Sequence, residues 1–248
     1  MCGASKGLGR GCALALAREG VRVTIAARTH DALETTAREI EAETSVPTSF
    51  VVADTATSSG RAALIAACPN PDILVTNAGG EPAGDFRNWS HDDWVRALDA
   101  NMLAPIELIK ATVDGMTTRG FGRIVNVTSS SVKAPLPGLG LTNGARSGLT
   151  GFVAGLAREV APFGVTINNL LPGAFDTDRL RTVLQGRAER AGRTLDQELQ
   201  LRTQSIPARR LGTANEFGEL CAYVCSANAG YITGQNLLVD GGTYPGTL

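Results

Sequence analysis

Tyrosine and lysine are nearly missing from this 248-residue chain, with three of each. Tyr223, Tyr231 and Tyr244 all fall in the C-terminal quarter, and Lys6, Lys110 and Lys133 are scattered, so no tyrosine has a lysine four residues on. That excludes a phenol and an ammonium group sharing one helix face as a proton donor and its electrostatic partner. Histidine is scarcer still: His30 and His91 are the two in the chain. The five cysteines (Cys2, Cys12, Cys68, Cys221 and Cys225) are odd in number and scattered. Cys221 and Cys225 have the four-residue spacing of a helical ligand pair but lack a second pair to complete a metal site, so they read as thiols of a reducing cytoplasm. Lys+Arg of 23 against Asp+Glu of 24 leaves a net charge of -1. This balance offers no basic footprint for nucleic acid or an anionic membrane. No apolar run approaches the roughly 20 residues of a membrane span, and the opening residues lack the basic-then-apolar form of a signal peptide.

What is present has a regular rhythm. Short apolar or β-branched runs recur at 21–27, 49–54, 72–79, 122–129, 165–173 and 236–242. Amphipathic stretches of helical length lie between them, at 9–19, 30–43, 59–68, 91–117, 142–161 and 214–226. Strands alternating with helices imply an α/β fold, a doubly wound parallel sheet of Rossmann type in one domain over 1–248. The charged, Arg-rich stretch at about 178–212 stands outside the rhythm and reads as a flap or inserted helical pair. Its Leu180, Leu184, Leu195, Leu199 and Leu201 are expected mostly to pack on the sheet.

The opening CGASKGLGRG places Gly3, Gly7 and Gly9 directly before a helical segment. Glycine permits the tight turn and a close backbone approach, and a helix N-terminus presents free N–H groups to an anion. Gly3, Ser5, Lys6, Gly7, Leu8 and Gly9 are therefore candidate contacts to a dinucleotide pyrophosphate. After the next strand, where a carboxylate would hold a ribose 2′-hydroxyl, stand Ala26-Ala27-Arg28-Thr29. Arg28, with Lys6, suits a 2′-phosphate instead, and NADP(H) is expected in preference to NAD(H).

With these residues in place, the chain resembles the short-chain dehydrogenase/reductase superfamily from Met1 to about Thr243, in its 3-oxoacyl-(acyl-carrier-protein) reductase-like form. The resemblance implies that Asp54 contacts the adenine amine, with a simple helix cap as its other reading. It also matches Asn77, Ala78 and Gly79 of TNAGG to a cofactor-binding strand end, and Asn101 to a residue ordering a proton-relay water. Ser129 at the end of GRIVNVTS matches the catalytic serine. Pro172, Gly173 and Thr177 match the segment that holds the nicotinamide amide. The family's usual Tyr and Lys fall thirteen and seventeen residues after the serine; here Thr142 and Arg146 occupy those positions with the register unbroken.

The chemistry changes with the residue types. An aliphatic hydroxyl is a far weaker acid than a phenol, and a guanidinium can bind ribose hydroxyls but relays no proton near neutrality. Asn101, Ser129, Thr142 and Arg146 are the candidate catalytic set, Arg146 doubling as a cofactor contact; Lys133 reads first as a solvated loop charge or a substrate-anion contact and second as a substitute acid. Three readings stay open: an NADP(H)-dependent reductase of a small-molecule carbonyl substrate with another proton source, a reductase of an activated C=C bond, or a nucleotide-binding protein with little turnover. The resemblance further implies a homotetramer or homodimer. It also implies a central strand ahead of Gly3, too long for Met1 and Cys2 at ~3.3 Å per residue, and hence an expectation of residues upstream of Met1.

Overall fold

Parallel strands buried on both faces need near-continuous apolar sequence, and the structure, a computed structural model describing residues 1–247, puts the richest runs at its centre. Strands β1 (Val23–Ala27) and β2 (Thr48–Val52) pair in parallel. Four others, β3 (Ile73–Asn77), β4 (Gly122–Val127), β5 (Val165–Pro172) and β6 (Asn236–Val239), form a parallel sheet in the order β3-β4-β5-β6. Every residue of β4 is buried, as are the first seven of β5.

Several of those buried residues are polar, and their amides satisfy one another. Thr76 Oγ donates to Asn126 Oδ1 at 2.6 Å. Asn126 Nδ2 donates to Asn169 Oδ1 at 3.1 Å, and Asn169 Nδ2 to Asn236 Oδ1 at 2.8 Å. This row runs across all four strands, which leaves no unpaired amide among its members to penalise burial.

The first residues join the two sheets. Cys2 N–H donates to Val75 O at 2.9 Å, while Ala26 N–H donates to Met1 O at 2.9 Å and Ala4 N–H to Ala26 O at 3.2 Å. Met1–Ala4 thus lie between β1 and β3 at their C-terminal ends. Beside the same two strands is a cavity of about 1140 Å³ lined by Leu16, Val23, Leu64 and Val75, among others.

Helices cover both faces. α1 (Gly7–Arg18) packs against α9 (Ala214–Cys225), and their contact is close because Gly11 and Gly218 meet where a Cβ on either would clash with backbone. The thiols of Cys12, Cys221 and Cys225 are free and buried there, and no metal-holding group of His, Cys, Asp or Glu occurs among the described residues. α2 (His30–Thr44) flanks the same side, and α3 (Ser58–Ala67), α5 (Ala104–Arg119) and α6 (Gly140–Val160) cover the other. The helix expected over 91–117 is interrupted: α4 (His91–Leu98) passes through a π-helical turn, Asp99–Leu103, into α5, with Asn101 in the turn. The Arg-rich stretch does form a helical pair, α7 (Asp178–Ala191) and α8 (Leu195–Gln204). Of its leucines Leu184 is buried, whereas Leu201 is exposed. Among the described residues no helix is long and apolar enough to cross a membrane.

Candidate functional site

A cleft of about 960 Å³ opens at the C-terminal ends of the strands, where parallel sheets of this class present their loops. Its wall includes Gly3, Ser5, Lys6, Gly7, Leu8, Arg28, Asp54, Asn77, Ala78, Gly79, Ser129, Thr142, Arg146, Pro172, Gly173 and Thr177. The residues singled out in the sequence are therefore brought together, except Gly9, Asn101 and Lys133, which do not line the wall.

At one end lies the glycine turn. Gly3 and Gly7 take left-handed backbone angles, φ 56° and 57°, which glycine adopts without strain. Gly9 serves the tight turn, because a Cβ there would sit 2.1 Å from Gly3 O and 2.9 Å from Asn77 Nδ2. Its missing side chain lets the turn fold back on the helix. Asn77 Nδ2 donates to Gly3 O at 3.0 Å and so ties β3 to the turn.

Helix α1 opens with no side-chain cap on Lys6 and no acidic residue in its first turn. Its leading N–H groups face the cleft without an internal anion, as a bound phosphate requires. Arg28 is exposed and has no acidic partner among the described residues, while Lys6 is 3.7 Å from Asp178 in an exposed pair. Asp54 is not the cap of α3, correcting one of its two readings. Thr57 caps that helix, accepting from Gly60 N–H, and Asp54 Oδ1 accepts from Ala56 N–H at 3.0 Å in a local turn.

The other end carries the hydroxyls. Ser129 follows β4 directly, and its Oγ accepts from Ser131 N–H at 3.1 Å, capping a single 3-10 turn. Thr142, buried in the first turn of α6, accepts from Glu81 N–H at 3.2 Å. One turn later Arg146 is 7% exposed. Its Nη1 donates to Thr128 O and to Val127 O, and its Nη2 to Ala78 O at 2.9 Å. Three carbonyl oxygens therefore hold the guanidinium against β3 and β4. Burial, and after it the charge of Arg179, pushes its pKa down to about 10, which still leaves it protonated at neutral pH.

Arg146 Nε and Asn101 Oδ1 are buried without a partner, as are Ser131 Oγ and Asn143 Oδ1 beside Ser129 and Thr142. Asn101 Nδ2 donates to Ala97 O at 3.4 Å, so its oxygen is the free end of the amide. Unpaired buried polar atoms at a cleft are the expected mark of a ligand or an ordered water. Together with the uncapped turn of α1, they fit a dinucleotide lying along the cleft.

One correction and two omissions concern the same end. Lys133 does not line the cleft; the 3-10 turn Ser130–Val132 carries it away, and its Nζ lies 5.9 Å from the ring centre of Tyr244. Thr177 also caps α7, accepting from Leu180 N–H at 3.3 Å. Arg179 and Val183 reach the cleft from α7 although no motif marks them. Their only signal is position, in the first two turns of a helix that begins at the cleft.

Comparison with known proteins agrees with this architecture. A family model described as enoyl-(acyl carrier protein) reductase matches residues 3–244. The 3-oxoacyl-[acyl-carrier-protein] reductase FabG of Pseudomonas aeruginosa is 33% identical over 248 residues, covering 98% of this chain and 95% of its own. The acetoacetyl-CoA reductase of Cupriavidus necator is 36% identical over 177 residues, 71% of this chain and 67% of its own. Among solved structures, L-sorbose reductase of Gluconobacter frateurii, complexed with NADPH and L-sorbose, superposes with a TM-score of 0.93 at 27% identity, covering 99% of this chain and 95% of that one.

Proposed function

The chain belongs to the short-chain dehydrogenase/reductase family, an oxidoreductase family, and we propose that it is an NADP(H)-dependent reductase of a small ketone or ketoacyl-like carbonyl. One observation carries the reading: the uncapped, carboxylate-free start of α1 and the hydroxyls of Ser129 and Thr142 line a single cleft. The similarity to reductases named for 3-oxoacyl and acetoacetyl thioesters supports a carbonyl substrate, and the NADPH complex of a neighbour supports the cofactor.

The residues divide the work by position. Gly3, Ser5, Gly7 and Leu8 bring backbone to the pyrophosphate, with Gly9 letting the turn close, and Lys6 and Arg28 add positive charge for a 2′-phosphate. Asp54 faces the adenine; Asn77, Ala78, Gly79, Pro172, Gly173 and Thr177 line the path to the nicotinamide. The nicotinamide, when bound, supplies the hydride. Arg146 sets a fixed positive field beneath the ribose, and its free Nε is the atom left for a ligand. Asn101 Oδ1 orders a water. Ser129 donates a hydrogen bond to the carbonyl oxygen, and the proton that finally neutralises that oxygen comes from water, because Thr142 is too weak an acid to release one.

We place the protein in the cytoplasm as a homotetramer or homodimer, in line with its free cysteines and the form of its C-terminal strand. The test is direct. NADPH fluorescence should titrate to a single site, and a carbonyl panel should consume NADPH. Ser129→Ala should lower kcat about 10²-fold with NADPH affinity unchanged. Tight NADPH binding with no turnover on any carbonyl would instead identify a nucleotide-binding protein.

A further inference from the structure

Arg179 is the second residue of α7 and reaches back over the cleft. Its Nη2 donates to Gly80 O at 2.6 Å. The same peptide unit is held from its other edge, since Glu81 N–H donates to Thr142 Oγ. Arg179 and Thr142 thus grip opposite edges of the Gly80–Glu81 peptide. The position a Gly80 Cβ would take lies 3.1 Å from Arg179 Nη2 and 3.4 Å from Thr142 Oγ. The guanidinium and the hydroxyl that stands where a stronger acid is expected thus bind the same peptide of the cleft wall.

Like Arg28, Arg179 is an arginine on this wall with no ion pair among the described residues. Of the acidic residues beside it in sequence, Asp176 pairs with Arg181 at 2.8 Å and Asp178 lies 3.7 Å from Lys6. Among the described residues Arg179 has carbonyl oxygens as its hydrogen-bond partners and no ion pair. Arg146 cannot take over, because it is buried and committed to three carbonyls. Arg179 is exposed, on a flexible stem, with further N–H donors free to turn into the cleft.

We propose that Arg179 is a catalytic residue that binds the oxyanion formed at the substrate carbonyl, supplying the charge stabilisation that Thr142 cannot. This rests on the carbonyl-reductase reading above. Hydride adds to the carbonyl carbon and the π pair moves to oxygen; the nicotinamide is oxidised and the carbonyl reduced. The alkoxide is held by the Arg179 N–H groups until water protonates it. No proton is taken from the guanidinium in this step; it acts through its charge and its N–H donors. A hydrogen-bond donor aimed at a developing oxyanion is worth about 10²–10³ in rate.

The experiment compares the whole protein with Arg179→Ala and Arg179→Lys, using a neutral carbonyl (ethyl acetoacetate) and an anionic one (acetoacetate). Arg179→Ala should lower kcat about 10²–10³-fold on both substrates. NADPH affinity should stay within about twofold, since Arg179 is not placed on the pyrophosphate turn. Arg179→Lys should retain part of the lost rate, and added guanidinium should restore turnover to Arg179→Ala, which a purely structural contact would not allow. A rise in KM confined to acetoacetate, with kcat intact, would overturn the proposal and make Arg179 a carboxylate clamp. A loss in Arg179→Ala smaller than about threefold would also overturn it while leaving the carbonyl-reductase reading standing. A parent protein that binds NADPH but reduces no carbonyl would remove that reading, and this inference with it.

Discussion

The two ends of the cleft are built from the same kind of scaffold, a strand feeding a loop that opens a helix, yet they treat residue type differently. At the glycine turn both geometry and chemistry are kept: Gly3 and Gly7 hold left-handed angles and α1 starts bare of carboxylates. At the hydroxyl end the geometry is kept and the chemistry has moved. Ser129, Thr142 and Arg146 all reach the same cleft, but the threonine is a weak acid and the arginine is turned onto backbone carbonyls. Spacing and residue identity are thus separable. Spacing along α6 places few demands on residues 142 and 146, because the helix packs through Leu141, Ala145 and Leu149 whatever stands between them.

The largest expected effect breaks the intact end. Gly9→Val places a branched side chain where a Cβ is 2.1 Å from Gly3 O, and backbone cannot yield as a flexible side chain does. NADPH affinity, read by fluorescence titration, should fall by about 100-fold or more, with thermal stability lowered as well. Unchanged affinity would mean that the turn is not the pyrophosphate site. The altered end is probed in the opposite direction by the double variant Thr142→Tyr with Arg146→Lys. A phenol beside an ammonium group is a competent general acid, so NADPH-coupled carbonyl reduction should rise by up to about 10²-fold. No gain would show that the site already protonates its product by another efficient route.

A smaller change sharpens the comparison at the intact end. Arg28 is exposed and without an acidic partner, so Arg28→Ala should weaken NADPH binding by about tenfold while leaving NADH nearly untouched. Equal loss for both cofactors would detach Arg28 from the 2′-phosphate. Ionic strength gives a check, because an exposed charge contact fades as salt screens it.

Much of this was legible in the sequence for a physical reason. Buried parallel strands demand apolar runs, and glycines at a turn mark backbone angles, so β4, β5 and the Gly3–Gly7 turn announce themselves. The interval from Ser129 to Thr142 and Arg146 could be counted without coordinates. Side-chain direction could not. Nothing in the spacing reveals that Arg146 turns to Thr128 O and Ala78 O, or that Lys133 turns toward Tyr244. The π-helical turn at Asn101 is equally hidden, since no proline or glycine marks the break between α4 and the turn. Arg179 was missed because its place depends on how α7 meets the Gly80–Glu81 peptide, a contact across 99 residues. The partners of the tight turn at Gly9 are equally a matter of coordinates: its missing side chain makes room for Gly3 O and Asn77 Nδ2.

The smallest effect tests whether the two ends are supported independently. α9 backs the glycine turn, with Ala214 O against Gly11 and Ala214 on the cleft wall, and its start is held by Glu216. Glu216 accepts from Thr213 N–H at 2.8 Å and from Arg210 Nη1 at 2.8 Å. Hydrogen bonding to Arg210, and next to the Thr213 backbone, holds its pKa at about 2 against an ordinary 4.5. A depressed carboxylate contributes stability above its unfolded pKa and loses it as pH falls through the folded one. The contribution of Glu216 is therefore complete above about pH 4.5 and gone near pH 2. Both partners are exposed, so solvent screening keeps it small. Glu216→Gln should lower Tm by about 1–3 °C at pH 7, with the gap to the parent closing between pH 4.5 and pH 2. Amide exchange should quicken around Gly11 and Ala214 and stay unchanged around Ser129, on the far side of the cleft. A gap constant with pH would show that the ion pair does not anchor α9, and faster exchange at Ser129 would show that the two ends share one support.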